Sequence, residues 1–218
     1  MFQQRIAELG DEIAKKTSWI PLSSGGANFS THCLKEDKEG NYYVTSTWQS
    51  FVLSWVFFLV SIVSLLTIYN SQNSTSSQDS MWVLVPIIFI GVGIFLIIQC
   101  FKKKIFDFPV QSFYSYFFRK KTDWFEGGIP LGNIHALQII SSLHSSSRST
   151  EIWGRRYYNY EINIVLKNAD RKHICIFSDI NMCQESAWKI AQRLNVPVWD
   201  ISDILTYPSI ITTGNPWN

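Results

Sequence analysis

Two long runs without a charged side chain dominate the sequence: FVLSWVFFLVSIVSLLTIY (Phe51 to Tyr69) and MWVLVPIIFIGVGIFLIIQCF (Met81 to Phe101). A helix rises about 1.5 Å per residue and needs about 20 residues to cross a hydrocarbon core about 30 Å thick. Lipid leaves no solvent partner for backbone N–H and C=O groups, so an apolar run of this length there must be helical. The sequence predicts a transmembrane hairpin: helix 49–70, a short external loop 71–80, and helix 81–101. Ser54, Ser61 and Ser64 of the first run, with Gly91 and Gly93 of the second, are small enough for close helix approach.

Basic residues set the expected orientation. Arg5, Lys15, Lys16, Lys35 and Lys38 precede the first run and Lys102, Lys103 and Lys104 follow the second, whereas the bridge holds only Asp79. Positive-inside bias predicts a multi-pass protein with N- and C-termini cytoplasmic. The polar start MFQQRIAELGDEIAKK lacks the apolar stretch of a cleavable signal, so the first span is expected to act as the insertion signal. No Asp, Glu, His, Lys or Arg lies at membrane depth, which argues against a carrier or pump.

The remaining residues predict a head assembled from both sides of the hairpin. Phe2, Ile6, Leu9 and Ile13 form one stripe of an amphipathic helix (1–18), expected to dock on the head, with the membrane surface or a partner helix as alternatives. In the segment 19–48, Asn28–Lys35 and Tyr42–Trp48 flank Gly40-Asn41 and read as a β-hairpin. After Lys104 the period becomes two: Ile105–Val110, Ser112–Arg119, Ile134–Leu143, Tyr157–Lys167 and His173–Ser178 read as strands. A helix with Ala187, Ile190, Ala191 and Leu194 on one face follows, capped by Asp179 or Asn181 and stopped by Pro197. Ser141–Gly154 reads as a mobile loop and 201–218 as a weakly ordered tail. The fold class is membrane α+β: a helical hairpin plus a cytosolic sheet or barrel capped by a C-terminal helix.

The order strand–strand–IPLGNIHALQI–loop–YEINIVL–strand–helix resembles the pleckstrin-homology-like domains that bacteria fuse to membrane helices. Trp19-Ile20-Pro21-Leu22, Gly25-Gly26-Ala27-Asn28-Phe29, Thr31-His32, Ile129-Pro130-Leu131, Ala136-Leu137-Gln138, Tyr160-Glu161-Ile162-Asn163 and Val196-Pro197-Val198-Trp199-Asp200 are similar to a family of two-span bacterial inner-membrane proteins of unassigned function. The resemblance implies a bacterial inner (plasma) membrane location and a PH-like cytosolic domain over 104–200, with no catalytic residue to carry over. A seven-stranded barrel needs more strands than follow Lys104, so the Asn28–Trp48 hairpin is expected to supply the missing pair.

The candidate chemistry is thin. His32 and Cys33 would point to opposite faces of a strand, and His135, His144 and His173 are scattered. His173, Cys175 and Cys183 are spaced more loosely than paired zinc ligands. Asp107, Asp123 and Glu126 fall in separate turns. There is no phosphate-binding glycine motif, since Gly91-Val92-Gly93 lies inside an apolar run. No catalytic, cofactor-binding or metal site is expected. Lys102, Lys103, Lys104, Arg119, Lys120, Lys121, Arg155 and Arg156, with Arg148, are the candidate lipid or partner contacts. The bland readings are a stop-transfer anchor for the lysine triplet and solvated charge for the rest. A net charge of +2 and the lack of a basic aromatic stripe disfavour nucleic acid, and no small-molecule substrate is evident.

The expected function is a non-enzymatic integral inner-membrane protein whose head mediates protein–protein interaction, assembly or self-association at the bilayer. The alternatives are an anionic-lipid sensor acting through the basic loops and an immunity factor against a membrane-active toxin acting through the hairpin.

Overall fold

In the computed structural model, residues 2–23, 29–72, 81–117, 128–145 and 156–206 are described. The N-terminal stripe forms two short helices rather than one: α1 (Phe2–Glu8) and α2 (Glu12–Lys16). Gly10 breaks them at φ +64°, a conformation that glycine reaches without a Cβ clash. Asp11 then caps α2, its carboxylate accepting from the backbone N–H groups of Ile13 and Ala14.

Strands β1 (His32–Glu36) and β2 (Tyr42–Ser46) turn at Gly40, where φ is +77°. Helices α3 (Trp48–Gln72) and α4 (Met81–Cys100) follow, then β3 (Lys102–Asp107), β4 (Ser112–Phe117) and β5 (Ile129–Pro130). These five strands make one sheet in the order β1-β2-β3-β4-β5. The hairpin ahead of the helices therefore does pair with the strand after them: Val44 lies opposite Lys104, and Tyr42 opposite Phe106.

The second sheet contains β6 (Ile134–Ser145), β7 (Arg156–Leu166), β8 (Arg171–Phe177) and β9 (Val198–Thr206), in the order β8-β7-β6-β9. β9 pairs in parallel with β6 after the crossover through α5 (Ile180–Leu194). Asp179 caps α5 by accepting from the Met182 N–H, and Asn195 ends it in the left-handed region. Two sequence expectations change here. Ser141 and Ser142 are buried strand residues, not loop, and the segment from Ile201 to Thr206 is strand, not loose tail. The rest of the expected loop, 146–155, and the tail beyond Thr206 lie outside the described residues.

Alternation assigns each face. The main core lies between the sheets: Val44, Phe106 and Phe113 face Leu137, Ile139, Ile162, Ile164 and Phe177, and α5 packs on it through Cys183, Ala187 and Ile190. The other face of the second sheet carries a smaller core of Ala136, Ile140, Val165, Trp199 and Ile201. There α1, α2 and Trp19 cover it through Ile6 and Ala14, so the N-terminal segment is a strap on the head. Burial of this stripe contributes on the order of 25 cal/mol per Å2 of apolar surface.

α3 and α4 pack antiparallel and expose large apolar side chains along most of their length. α3 over Trp48–Asn70 is long and apolar enough to cross a membrane; the corresponding apolar stretch of α4, Leu84–Cys100, is shorter. Ser54 and Ser61 are buried between the helices. A Cβ on Gly93 would come within 3.1 Å of the Phe58 backbone, whereas Gly91 faces open space, so only Gly93 serves close approach.

Candidate functional site

The site is built where the helix pair meets the first sheet. Only Thr47 separates β2 from α3, and only Phe101 separates α4 from β3. Thr47 is fixed on every side: its N–H donates to Thr31 O, its hydroxyl donates to Ser30 O and meets Ser50, and its carbonyl accepts from Phe51 N–H. Across the pair, the Phe51 and Phe101 rings meet edge to face at 5.9 Å.

Because β3 begins immediately, the lysine triplet obeys strand alternation. Lys104 shares the inner face with Phe106, opposite Val44. Its ammonium donates to the carbonyls of His173 (3.1 Å) and Ile174 (2.6 Å), tying the first sheet to the edge of the second. Burial lowers the Lys104 pKa from its ordinary value. Lys103 points the other way, its ammonium 5.2 Å from the centroid of the Tyr43 ring. Lys102 returns to the inner face and is exposed. The triplet is therefore not three equivalent solvated charges; one of them is an internal cross-link. Charged donors to backbone carbonyls contribute about 1.5–3 kcal/mol when well formed.

Next to Lys104 on the same face, His32 of β1 bonds the Thr31 hydroxyl through Nδ1 at 2.9 Å. Burial, and then the nearby Lys104 charge, push its pKa down to about 4, so the imidazole is neutral at pH 7. These residues border a cavity of about 530 Å3 roofed by the base of the helix pair. Thr31, His32, Ser46, Lys102, Lys104 and Ile174 line its head side, and Ser50, Leu53, Ser54, Leu96, Gln99 and Cys100 its helix side. No carboxylate is among the described residues that line it.

A second polar cluster lies on the opposite face of the second sheet. Glu161 of β7 is 2% exposed and accepts from the backbone N–H groups of Leu22 and Ser23, both at 2.9 Å, and from the Asn163 amide. Gln138 donates to Ser18 O and accepts from Arg171. His173 stands 3.9 Å from Glu161, but burial and Lys104 hold its pKa near 4, so this is not an ion pair at neutral pH. This cluster fastens the strap: with Trp19 Nε1 donating to Ala14 O and His135 Nε2 meeting Asp11 at 2.7 Å, it locks residues 11–23 to the sheet.

Of the sequence candidates, Lys102 and Lys104 meet at one cavity, and Lys103 does not. Arg119, Lys120, Lys121, Arg148 and Arg155 lie outside the described residues, and of Arg156 only the backbone, at the start of β7, is described. Cys33 follows His32 onto the opposite face of β1. Cys175 and Cys183 are core residues between sheet and helix, while His173 is on the far face of its sheet, so the three do not converge. Burial raises the Cys175 thiol to about 12 and the Cys183 thiol well above its ordinary value, which leaves both protonated. Among the described residues no group of three His, Cys, Asp or Glu side chains could hold a metal ion. The residues that sequence reasoning passed over are His32 as part of a basic cavity, Gln99, and Glu161. Gln99 is visible as the lone amide in the last turn of an apolar helix, and Glu161 as the one acid in its strand.

No family model, curated protein or solved structure matches the chain.

Proposed function

We propose that the chain is a non-enzymatic integral membrane adaptor. In this reading α3 and α4 lie in a bacterial inner membrane with both ends cytoplasmic, and a PH-like head works at that surface on a protein partner or a second copy. One observation carries it: the two helices join the head through adjacent, mutually paired strands, with a single residue at each connection. A tether would need slack, whereas this connection limits the head's freedom to swing relative to the helices. The apolar exterior of α3 and α4 is the opposite of what a water-facing helix pair shows, since large continuous apolar surfaces mark partner or membrane contact.

On this reading the outward face of α5 is the contact surface. Its buried face is spent on the core, yet Trp188 (58% exposed) and Met182 (41% exposed) remain outside. Tryptophan is enriched among the residues that carry most of an interface's binding energy. The test has two parts. The chain should stay with membranes through an alkaline carbonate wash, and a photo-crosslinker placed at Trp188 should capture a discrete protein adduct from cells. Release by carbonate would overturn the membrane half. Carbonate resistance without any adduct from Trp188 would overturn the α5 contact.

A further inference from the structure

We infer that the cavity between the helix pair and the first sheet binds the phosphate headgroup of one anionic phospholipid from the cytoplasmic leaflet. The inference rests on the membrane reading above and adds a ligand to it. The cavity's two walls match the two halves of such a molecule. Leu53 and Leu96 come from the apolar helices, and one turn nearer the head Ser50 and Gln99 replace them with a hydroxyl and an amide. Below these sit Lys102 and Lys104. A volume of about 530 Å3 falls within the range of small-molecule sites, roughly 300–1,000 Å3.

Charge selects the sign of the headgroup. Two ammonium groups line the cavity and no carboxylate is among its described lining residues; Glu161, on the far face of the second sheet, acts on Lys104 only as a minor charge contribution. Elsewhere on the head Lys15 pairs with Glu12 and Lys189 with Glu185, each at 2.6 Å. Lys102 has no acidic partner among the described residues. An ammonium has three donors; Lys104 commits two to the carbonyls of His173 and Ile174, and the third remains for a phosphate oxygen. Ser50 lies in the first turn of α3, whose N-terminal end carries partial positive charge from the aligned peptide dipoles. His32 stays neutral and offers a hydrogen bond without adding charge.

The alternation of β3 supplies the control. Lys102 and Lys103 are neighbours at the same depth, so diffuse attraction to an anionic surface would feel both equally. A site would feel Lys102 alone. The experiment uses the full chain extracted in neutral detergent and native mass spectrometry with added phosphatidylglycerol, phosphatidylcholine or inorganic phosphate. The expected result is one retained phosphatidylglycerol per chain, little phosphatidylcholine, and about tenfold weaker retention in Lys102→Gln, as for loss of one charge-assisted bond. Lys103→Gln should match the unaltered chain. Equal losses in the two variants, or no selective retention, would overturn the site. Inorganic phosphate displacing the lipid at comparable concentration would overturn the lipid assignment in favour of a free-anion site. Failure of the membrane reading is separable, because it shows as release of the chain by carbonate whatever the two variants retain.

Discussion

The head holds two polar clusters that differ in how their charged groups are answered. Around Glu161, both carboxylate oxygens are taken by backbone N–H groups and the Asn163 amide, and the strap closes over them. Around Lys104, the ammonium is partly engaged, Lys102 is free of acids among the described residues, and a cavity stands open beside them. Burial of a charge is costly unless hydrogen bonds replace its hydration. The closed cluster meets that requirement for its carboxylate within the chain and so acts as a fastener, although Asn163 Oδ1 and His173 Nδ1 beside it are buried without a hydrogen-bond partner. The open one meets it only in part, which leaves donors to spend on something else. Stability should therefore reside in the first, and ligand dependence in the second.

The sharpest way to break this contrast is to remove the fastener. Glu161→Ala strips acceptors from two strap N–H groups and should destabilise the head by about 3 kcal/mol, read as a thermal midpoint about 6–12 °C lower. Glu161→Gln keeps one carbonyl oxygen and should cost less. If Glu161→Ala is no worse than Lys102→Gln, the strap is not fastened there.

Acid should come next. His32 and His173 have pKa values pushed down to about 4 by burial and by Lys104, against an ordinary value near 6.5. The unfolded chain therefore takes up protons through pH 6.5 while the folded chain refuses them until about pH 4. Their contribution is fully present above pH 6.5 and is lost as pH falls towards 4, by up to about 3 kcal/mol for each imidazole. A melting profile flat from pH 7 to 4.5, or one unchanged in a His32→Gln, His173→Gln double variant, would show that neither imidazole is held neutral.

How far the sequence revealed this depends on what each residue's neighbours are. The alternating strands after Lys104 and the Asp179-capped helix were legible because pattern and burial agree. So was the pairing of β2 with β3, from a shortage of strands rather than from any residue of either. β9 was missed although Trp199 and Ile201 alternate with Asp200 and Ser202. Pro208, Gly214 and Pro216 just beyond made the segment read as tail, and a parallel partner 60 residues earlier leaves no local mark. Ser141 and Ser142 read as loop by composition, yet β6 is central, and its neighbours bury whatever lies between them. Lys104 was the hardest to see. A basic triplet beside an apolar run has a ready explanation as an anchor, and only the absence of a linker after Cys100 puts alternate lysines on opposite faces.

That last point yields the smaller effects, which sharpen the comparison. Lys104→Met keeps the aliphatic stem but leaves the His173 and Ile174 carbonyls without their donor. Removing the buried charge offsets part of that loss, so a net destabilisation of about 1 kcal/mol is expected. The loss should also show as faster amide exchange in β8, because the cross-link joins that edge to the first sheet. Lys102→Gln should change thermal stability by less than about 0.5 kcal/mol, as for an exposed side chain with no intramolecular partner. The pair is informative only together. If Lys102→Gln destabilises as much as Lys104→Met, then Lys102 is also part of the scaffold and the cavity is closed by its own side chains. If Lys102→Gln is silent in neutral detergent yet removes the extra stability gained on adding phosphatidylglycerol, the free lysine is used only when an anion occupies the cavity, as ligand linkage requires.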